Sequence, residues 1–339
     1  MERKPTILDV ARAAGVSKGL VSFALNDRPG VSSETRARIL GVADDLGYRR
    51  SIAARSLSTR TSFALGLVIA RDARVLAADP FFPAFISGVE QVLAEQGRVL
   101  VLSVVAEPAA EESVYRTFAA DQRVDGVFLT DLRERDSRPA LLAELGLPAV
   151  TLGRFEGSGA NPAVVLDDAN GIRAAVEHLI ELGHERIAHV AGPRGLLHAV
   201  RREGAFRGAL ERAGLDPSLV VETDFSAQQG AAATTGLLDL AEPPTAIVYA
   251  NDPMAIAGLG IAHQRGLRLP DDLSVTGFDD SEIADYVYPS LTSARTRPDQ
   301  WGAEAARTLL ALVADGTAPD VDLAPAGLVI RNSTASPRS

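Results

Sequence analysis

"GVSKGLVSFALN", Gly15 to Asn26, reads as a short helix with Lys18, Gly19, Ser22 and Phe23 on one face and Val21 and Leu25 on the other. Gly15 breaks the chain ahead of it, and the Ser17 hydroxyl is suited to cap its first turn. Upstream, Ile7, Val10, Ala11 and Ala14 recur at i, i+3, i+4 and i+7, and Thr6 with Asp9 fits a capping box. Downstream, the turn "DRPGVS" leads to Ser32, a cap for a third helix in which Ile39, Val42, Ala43 and Leu46 keep the same kind of spacing. Two helices joined by a tight glycine-containing turn and backed by a third make a helix-turn-helix.

The charge around this head differs from the charge of the rest. The chain carries a formal net charge of −10, yet residues 1–60 hold 11 Lys plus Arg against 6 Asp plus Glu. A basic head on an acidic body is what a protein needs if the head alone meets a polyanion. Charge alone would also allow chance clustering on a solvated face. The segment "RRSIAARSLSTRTS", Arg49 to Ser62, follows as a short basic stretch. It reads as a linker, with a helix-compatible core from Ile52 to Leu57 too short to be stable alone.

From Phe63 the pattern changes. Apolar runs recur as "FALGLVIA", "RVLVLSVV", "DGVFLT", "PAVTLG", "AVVLD", "RIAHVAG", "TAIVYAND" and "LSVTGFDD", separated mostly by helical segments such as "FISGVEQVLAEQG" and "NGIRAAVEHLIELG". Buried strands alternating with helices imply parallel sheets covered on both faces. At 339 residues, 46% apolar and 23% charged, the composition is that of a globular chain of two or three domains. The length left for at least eight strands fits two doubly wound lobes.

Several function classes drop out. The chain has no cysteine, which excludes disulfides and thiol catalysis and fits a reducing cytoplasm. No apolar run is long enough to span a membrane, and "MERKPTILDV" lacks the apolar core of a signal peptide, so a soluble cytoplasmic protein is expected. "HERIAH" spaces its histidines by five, unlike the HExxH zinc signature, and no Walker A sequence, GxSxG strand-to-helix elbow or GxGxxG strand-turn-helix fingerprint appears. The expectation is a protein that is not an enzyme and has no cofactor and no metal. In open parallel sheets, ligands bind beyond the carboxyl ends of the strands. Thr130–Asp131, Asp167–Asp168, Asn251–Asp252 and Asp279–Asp280 stand at such ends, and Phe81, Phe82 and Phe225 are expected in loops where they could stack on a ligand. Each polar pair taken singly would also serve as a cap or turn, and Phe82 could equally pack between lobes.

These residues together resemble the lactose/galactose repressor (LacI/GalR) family. Thr6 to Tyr48 looks like its DNA-binding head in Asp9-Val10-Ala11, Ala14-Gly15-Val16-Ser17, Val21-Ser22, Asn26 and the Gly47-Tyr48 ending. The likeness continues through "AARSL", "DPFFPAFISGVE", "VEHLIELGHERIAHVAGP", "RREGAFRGAL", "ANDPMAIAGL", "SVTGFDD" and "YPSLTS". The resemblance implies a homodimeric regulator, probing a roughly palindromic double-stranded operator and controlled by a small-molecule effector. The fold it implies is α/β. A lambda-repressor-like helix-turn-helix head (1–49) precedes a hinge helix and linker (50–61). A two-lobed periplasmic-binding-protein-like body (62–339) follows, with lobe 1 about 62–161 and 293–324 and lobe 2 about 162–292 and 325–339.

By position in that family's motifs, DNA contact is expected from Thr6, Ser17, Lys18, Gly19, Ser22, Phe23, Asn26 and Arg55, with Leu57 the hinge leucine that wedges into the minor groove. Effector contact is expected from Phe81, Thr130, His198, Arg202, Phe225, Asn251 and Asp279, with Arg201 as the alternative to Arg202. Those groups suit a sugar, with a nucleobase as runner-up. Phe23 departs from a base-reading arginine, Arg50-Ser51 from a Pro-Asn before the hinge, and the tail "VIRNSTASPRS" has no leucine heptads for a tetramer. The rival from another class, a cytoplasmic sugar-binding or sugar-processing protein, would need neither the helix-turn-helix nor Leu57.

Overall fold

The structure, a computed structural model, describes residues 5–48, 61–155 and 161–338. The chain divides into two compact units, Met1–Ser62 and Phe63–Ser339. Arg55 and Leu57 lie outside the described residues, as does the rest of the expected hinge up to residue 60.

The head consists of α1 (Ile7–Ala13), α2 (Lys18–Leu25) and α3 (Ser33–Asp45). Each starts where a side chain terminates it. The Thr6 amide and hydroxyl both donate to the Asp9 carboxylate, at 2.9 and 2.7 Å. Ser17 Oγ accepts from the Leu20 amide and Ser32 Oγ from the Thr35 amide. Val10, Ala11, Ala14, Val21, Ala24, Ile39 and Ala43 form one buried cluster, so the helices are held by a core of small and β-branched side chains. Arg38 adds a cross-link, donating from Nη1 to the Ala14 carbonyl at 2.6 Å.

The body holds two six-stranded sheets. In the first, β1 (Ala64–Ala70), β2 (Val99–Val105), β3 (Val127–Leu129), β4 (Ala149–Leu152), β5 (Ala163–Val165) and β11 (Val321–Asp322) run in the order β11-β5-β4-β3-β1-β2, all parallel. The second contains β6 (Ile187–Ala191), β7 (Val220–Glu222), β8 (Ala246–Tyr249), β9 (Ser274–Asp279), β10 (Thr292–Arg295) and β12 (Gly327–Val329). Its order is β12-β10-β9-β8-β6-β7, parallel except for the terminal β10–β12 pair. Eight of these strands are the apolar runs of the sequence.

Two expected lobe boundaries move. β5 pairs with β4 and β11, so the first crossover comes after Val165 and not at 161/162. β10 pairs with β9 and β12, so the return falls after Arg295 and not at 292/293. In both cases a ladder of backbone hydrogen bonds keeps the strand in its sheet before the chain leaves.

Helices cover both sheets. In the first lobe, α5 (Phe81–Glu95) lies against the long α12 (Pro298–Asp315). A Cβ at Gly88 would come within 1.9 Å of the Asp299 carbonyl, and one at Gly302 within 2.1 Å of the Phe85 carbonyl. The two backbones therefore approach at contact distance, anchoring the returning chain to the lobe where it began. Phe81 and Phe82 are not loop residues as expected; they open α5. The helix starts immediately after Pro80, and Phe82 is turned into the core with Leu65, Phe85 and Phe128. The remaining helices are α4 (Ala73–Ala78), α6 (Pro108–Ala120), α7 (Arg138–Glu144), α8 (Ala169–Glu181), α9 (Leu197–Arg212), α10 (Ala227–Leu238) and α11 (Asp252–Gln264).

Candidate functional site

In the head, Lys18, Gly19 and Phe23 are exposed on α2, while Val21 and Ala24 are buried and Ser22 is partly covered. Phe23 is 41% exposed, with the Arg28 guanidinium 5.9 Å from its ring centre. A Cβ at Gly19 would meet nothing nearer than Ser17 Oγ at 3.8 Å, so the head's own packing does not demand a glycine there. Asn26 folds back on α2, its Nδ2 donating to the Ser22 carbonyl at 2.6 Å. Thr6 and Ser17 spend part of their hydrogen-bonding capacity on caps, as above.

In the body, the C-terminal ends of the strands from both lobes border one cavity of about 60 Å³. From the first lobe come Arg71 after β1, Phe81 on α5, Thr130 and Asp131 after β3, and Trp301 on α12. From the second come Asp168 at the start of α8, His198, Arg201 and Arg202 on α9, Phe225 before α10, Asn251 after β8, and Asp279 at the end of β9. All seven residues expected at an effector site thus border the same cavity. Of the strand-end pairs, Asp167, Asp252 and Asp280 turn elsewhere. Asp167 accepts from the Asn170 amide, Asp252 is bonded by Ser281 and Ser293, and Asp280 pairs with Arg295 and Arg331.

The polar side chains of the cavity wall hold one another and the backbone in place. Arg202 donates from Nε to Asp168 at 3.2 Å and from Nη1 to the Ala250 carbonyl at 3.0 Å. Its guanidinium lies 3.7 Å from the centre of the Phe278 ring. Arg201 reaches the other oxygen of Asp168 at 3.3 Å and is the more exposed of the two. Both arginines are therefore at the cavity, with Arg202 the deeper and more fixed. Asn251 caps α11 through the Met254 amide and donates to the Phe225 carbonyl at 2.9 Å.

That bond fixes a residue with unusual geometry. Phe225 has φ 70°, and its ring stacks on His198 at 5.6 Å and 12°. Glycine at 192 permits this, because a Cβ there would sit 2.0 Å from Phe225 Cζ. Burial, with the Arg202 charge acting in the same direction, pushes His198 down to about 3, so it offers a neutral aromatic face. Burial likewise pushes Asp279 up to about 8 against the opposing pull of Arg202, leaving a carboxyl that is mostly protonated at neutral pH.

Arg71 and Asp79 are the part of the site that strand-end reading did not assign, and they join Asp131, which it did. Arg71 grips Asp131 with two 2.8 Å bonds and Asp79 with a third. Burial works against ionisation of Asp131, but the Arg71 charge and hydrogen bonds outweigh it and hold that carboxyl below its ordinary range. Arg71 also lies 5.3 Å from the ring centre of Phe225, a residue of the opposite lobe. A backbone bond from the Leu197 amide to the Leu132 carbonyl, 2.8 Å, joins the lobes beside it. Among the described residues no cluster of His, Asp and Glu could hold a metal ion, and no helix is long and apolar enough to cross a membrane.

Known proteins share both units. The profile of bacterial regulatory proteins of the lacI family matches residues 6–51, and that of the periplasmic binding protein-like domain matches residues 176–334. The HTH-type transcriptional regulator CelR of Thermobifida fusca is 37% identical over 325 residues, 95% of each chain. A solved complex of the transcriptional regulator CelR with cellobiose matches at 35% identity and TM-score 0.74, covering 97% of this chain and 99% of that one. The Lac repressor dimer bound to operator and the anti-inducer ONPF matches at 29% identity and TM-score 0.85, covering 98% and 100%. A DNA-reading head joined to a two-lobed ligand-sensing body defines an effector-controlled transcriptional regulator. The chain belongs to the lacI family of bacterial regulatory proteins.

Proposed function

We propose that this regulator senses a sugar between its two lobes, contacted by Phe81, Thr130, His198, Arg202, Phe225, Asn251 and Asp279. The carrying observation is their convergence: fixed donors and acceptors from both lobes border one cavity together with aromatic faces. Hydroxyl-rich, flat-faced ligands use that combination. The likeness to a regulator solved with cellobiose supports the same class.

The mechanism is a shift between lobe arrangements. A cavity of about 60 Å³ is far below the roughly 300–1,000 Å³ of ordinary small-molecule sites. A sugar therefore enters as the lobes part or as Arg71 moves off Phe225. Its differential affinity for two lobe arrangements is what controls the head. The head then reads a palindromic operator through Lys18, Gly19, Ser22 and Phe23, helped by Thr6, Ser17 and Asn26. The roles of Arg55 and Leu57 in the hinge rest on the sequence alone.

The partner subunit is a second copy of the chain. Val99, Leu102 and Val104 are exposed on the edge strand β2, and Ile283, Tyr286 and Tyr288 are exposed in the second lobe. Apolar side chains at an open edge favour a covering surface. We take the protein to be non-catalytic and to act in the cytoplasm, where its DNA is. Selection of bound DNA from a random pool, repeated with a panel of sugars, tests the whole reading. Failure to enrich any two-fold symmetric sequence would overturn it.

A further inference from the structure

The cleft has a charge arrangement that its sugar-binding role does not require. Each arginine on its wall already touches a carboxylate. Arg71 is shared between Asp79 and Asp131, and Arg201 and Arg202 divide the two oxygens of Asp168. The fourth carboxyl, Asp279, has Thr296 Oγ1 at 3.5 Å, and the remaining titratable group, His198, is neutral at physiological pH. With Asp279 protonated, three carboxylates thus face three arginines on the cavity wall.

We infer that this cleft selects uncharged sugars and rejects sugar phosphates and sugar acids, with Asp131 and Asp79 setting that specificity by saturating Arg71. The inference rests on the reading of the cleft as a sugar site. An anion moved into a poorly hydrated space needs a cation not already neutralised, because its lost hydration is otherwise unrecovered. Here Arg71, an enclosed cation, presents its fork to Asp131 through Nε and Nη2 and its third nitrogen to Asp79. An incoming phosphate would have to compete with two fixed carboxylates for one guanidinium. A neutral polyol faces no such conflict. Its hydroxyls can donate to the outer lone pairs of Asp79, Asp131 and Asp168, and a protonated Asp279 can donate back.

Trp301 makes the test direct, since it is the single tryptophan of the chain and lines the cavity. The full-length protein is titrated with cellobiose and other neutral disaccharides, with the 6-phosphate and aldonic acid of each, and with inorganic phosphate, following Trp301 fluorescence. The expected result is that neutral sugars bind at least about tenfold more tightly than their anionic forms and that inorganic phosphate is silent. Asp131→Asn and Asp79→Asn should each shrink that ratio, and Asp131→Asn should gain a response to inorganic phosphate. Melting curves establish that the variants fold, and Asp79→Asn decides the matter where Asp131→Asn does not. Anionic forms binding wild type as tightly as neutral ones, or an unchanged ratio in a folded Asp79→Asn variant, would overturn the inference. Silence toward all sugars would instead overturn the sugar reading, and the inorganic phosphate titrations of wild type and variant would still decide the charge selection.

Discussion

Arg138 donates from Nη2 to the main-chain carbonyl of Asp131 at 2.8 Å, from behind the residue whose carboxylate grips Arg71. The same nitrogen bonds the Thr130 carbonyl at 3.0 Å, while the rest of the guanidinium is taken by Asp136 and Glu111. Arg138 is 1% exposed, as is Glu111. Apolar packing would fill this space as well, but it could not satisfy two buried carbonyls next to a residue at φ 50°. The cluster thus ties the backbone under the cleft to the interior of the first lobe.

Arg138→Met should therefore cost about 3–5 kcal/mol, since it leaves Glu111 and Asp136 short of their main cation. Arg138→Lys should cost less while losing the fork that spans two carbonyls. Urea unfolding followed by Trp301 fluorescence measures both. A methionine variant as stable as wild type would show that the cluster does not hold the lobe.

Gly192→Ala is expected to act on the opposite wall. The new methyl would overlap the Phe225 ring, which must then leave its stack with His198 and its place beside Arg71. Overpacking of this kind costs typically about 1–3 kcal/mol. Effector affinity should fall by more than stability alone would produce, because the ring faces the cavity. Calorimetry beside a melting curve compares the two, and normal affinity in the variant would remove Phe225 from the site.

Much of this was legible in the sequence, and what was not has definite causes. Thr6, Ser17 and Ser32 mark helix starts because capping is local and needs only a few residues to be read. The long apolar strands announce themselves, but β10 is written Thr-Ser-Ala-Arg. Its Ser293 is fully buried yet polar, because its hydroxyl donates to Asp252. Local hydropathy cannot see a buried hydroxyl with a distant partner. The two-residue β11 is too short to carry a period. In the cleft, strand ends pointed to Thr130, Asn251 and Asp279. Arg71 also follows a strand, but a lone arginine reads as surface charge until Asp79 and Asp131 are seen around it. Trp301 comes from a helix that returns from the other lobe, so only the tertiary structure brings it in.

The exposed side chains of β2 should be covered in solution. Leu102→Asp would introduce a charge on that edge, and sedimentation of wild type is expected at twice the chain mass, with the variant shifted toward one chain. Tyr288→Asp probes the second patch in the same way. Retention of the dimer by both variants would place the contact elsewhere.

Phe23 has no hydrogen-bond donor, so on the exposed face of α2 it is suited to touch a thymine methyl. Phe23→Arg should move the preferred base at one position of each half-site toward guanine, the commonest partner of arginine. Selection from a random duplex pool reads this out, and an identical selected sequence would take Phe23 off the base-reading face.

The carboxyl of Asp279 should make the body less stable in mild alkali. An ordinary aspartate titrates near ~3.9, and burial raises this one to about 8 in the folded chain. The folded form therefore holds a proton that the unfolded form releases. That contribution is complete below about pH 4 and is lost as pH rises through about 8. Asp252, raised to about 6 by burial, acts in the same direction but is exhausted by neutrality. His189 and His198 are lowered by burial to about 4 and about 3, so their effect appears only on acidification. Of these four groups, Asp279 is the one that titrates between pH 7 and 9. Melting followed at Trp301 should fall across that interval in wild type and stay nearly flat in Asp279→Asn. A wild-type profile as flat as the variant's would mean that Asp279 is already ionised in the folded protein, with Arg202 rather than burial controlling its charge.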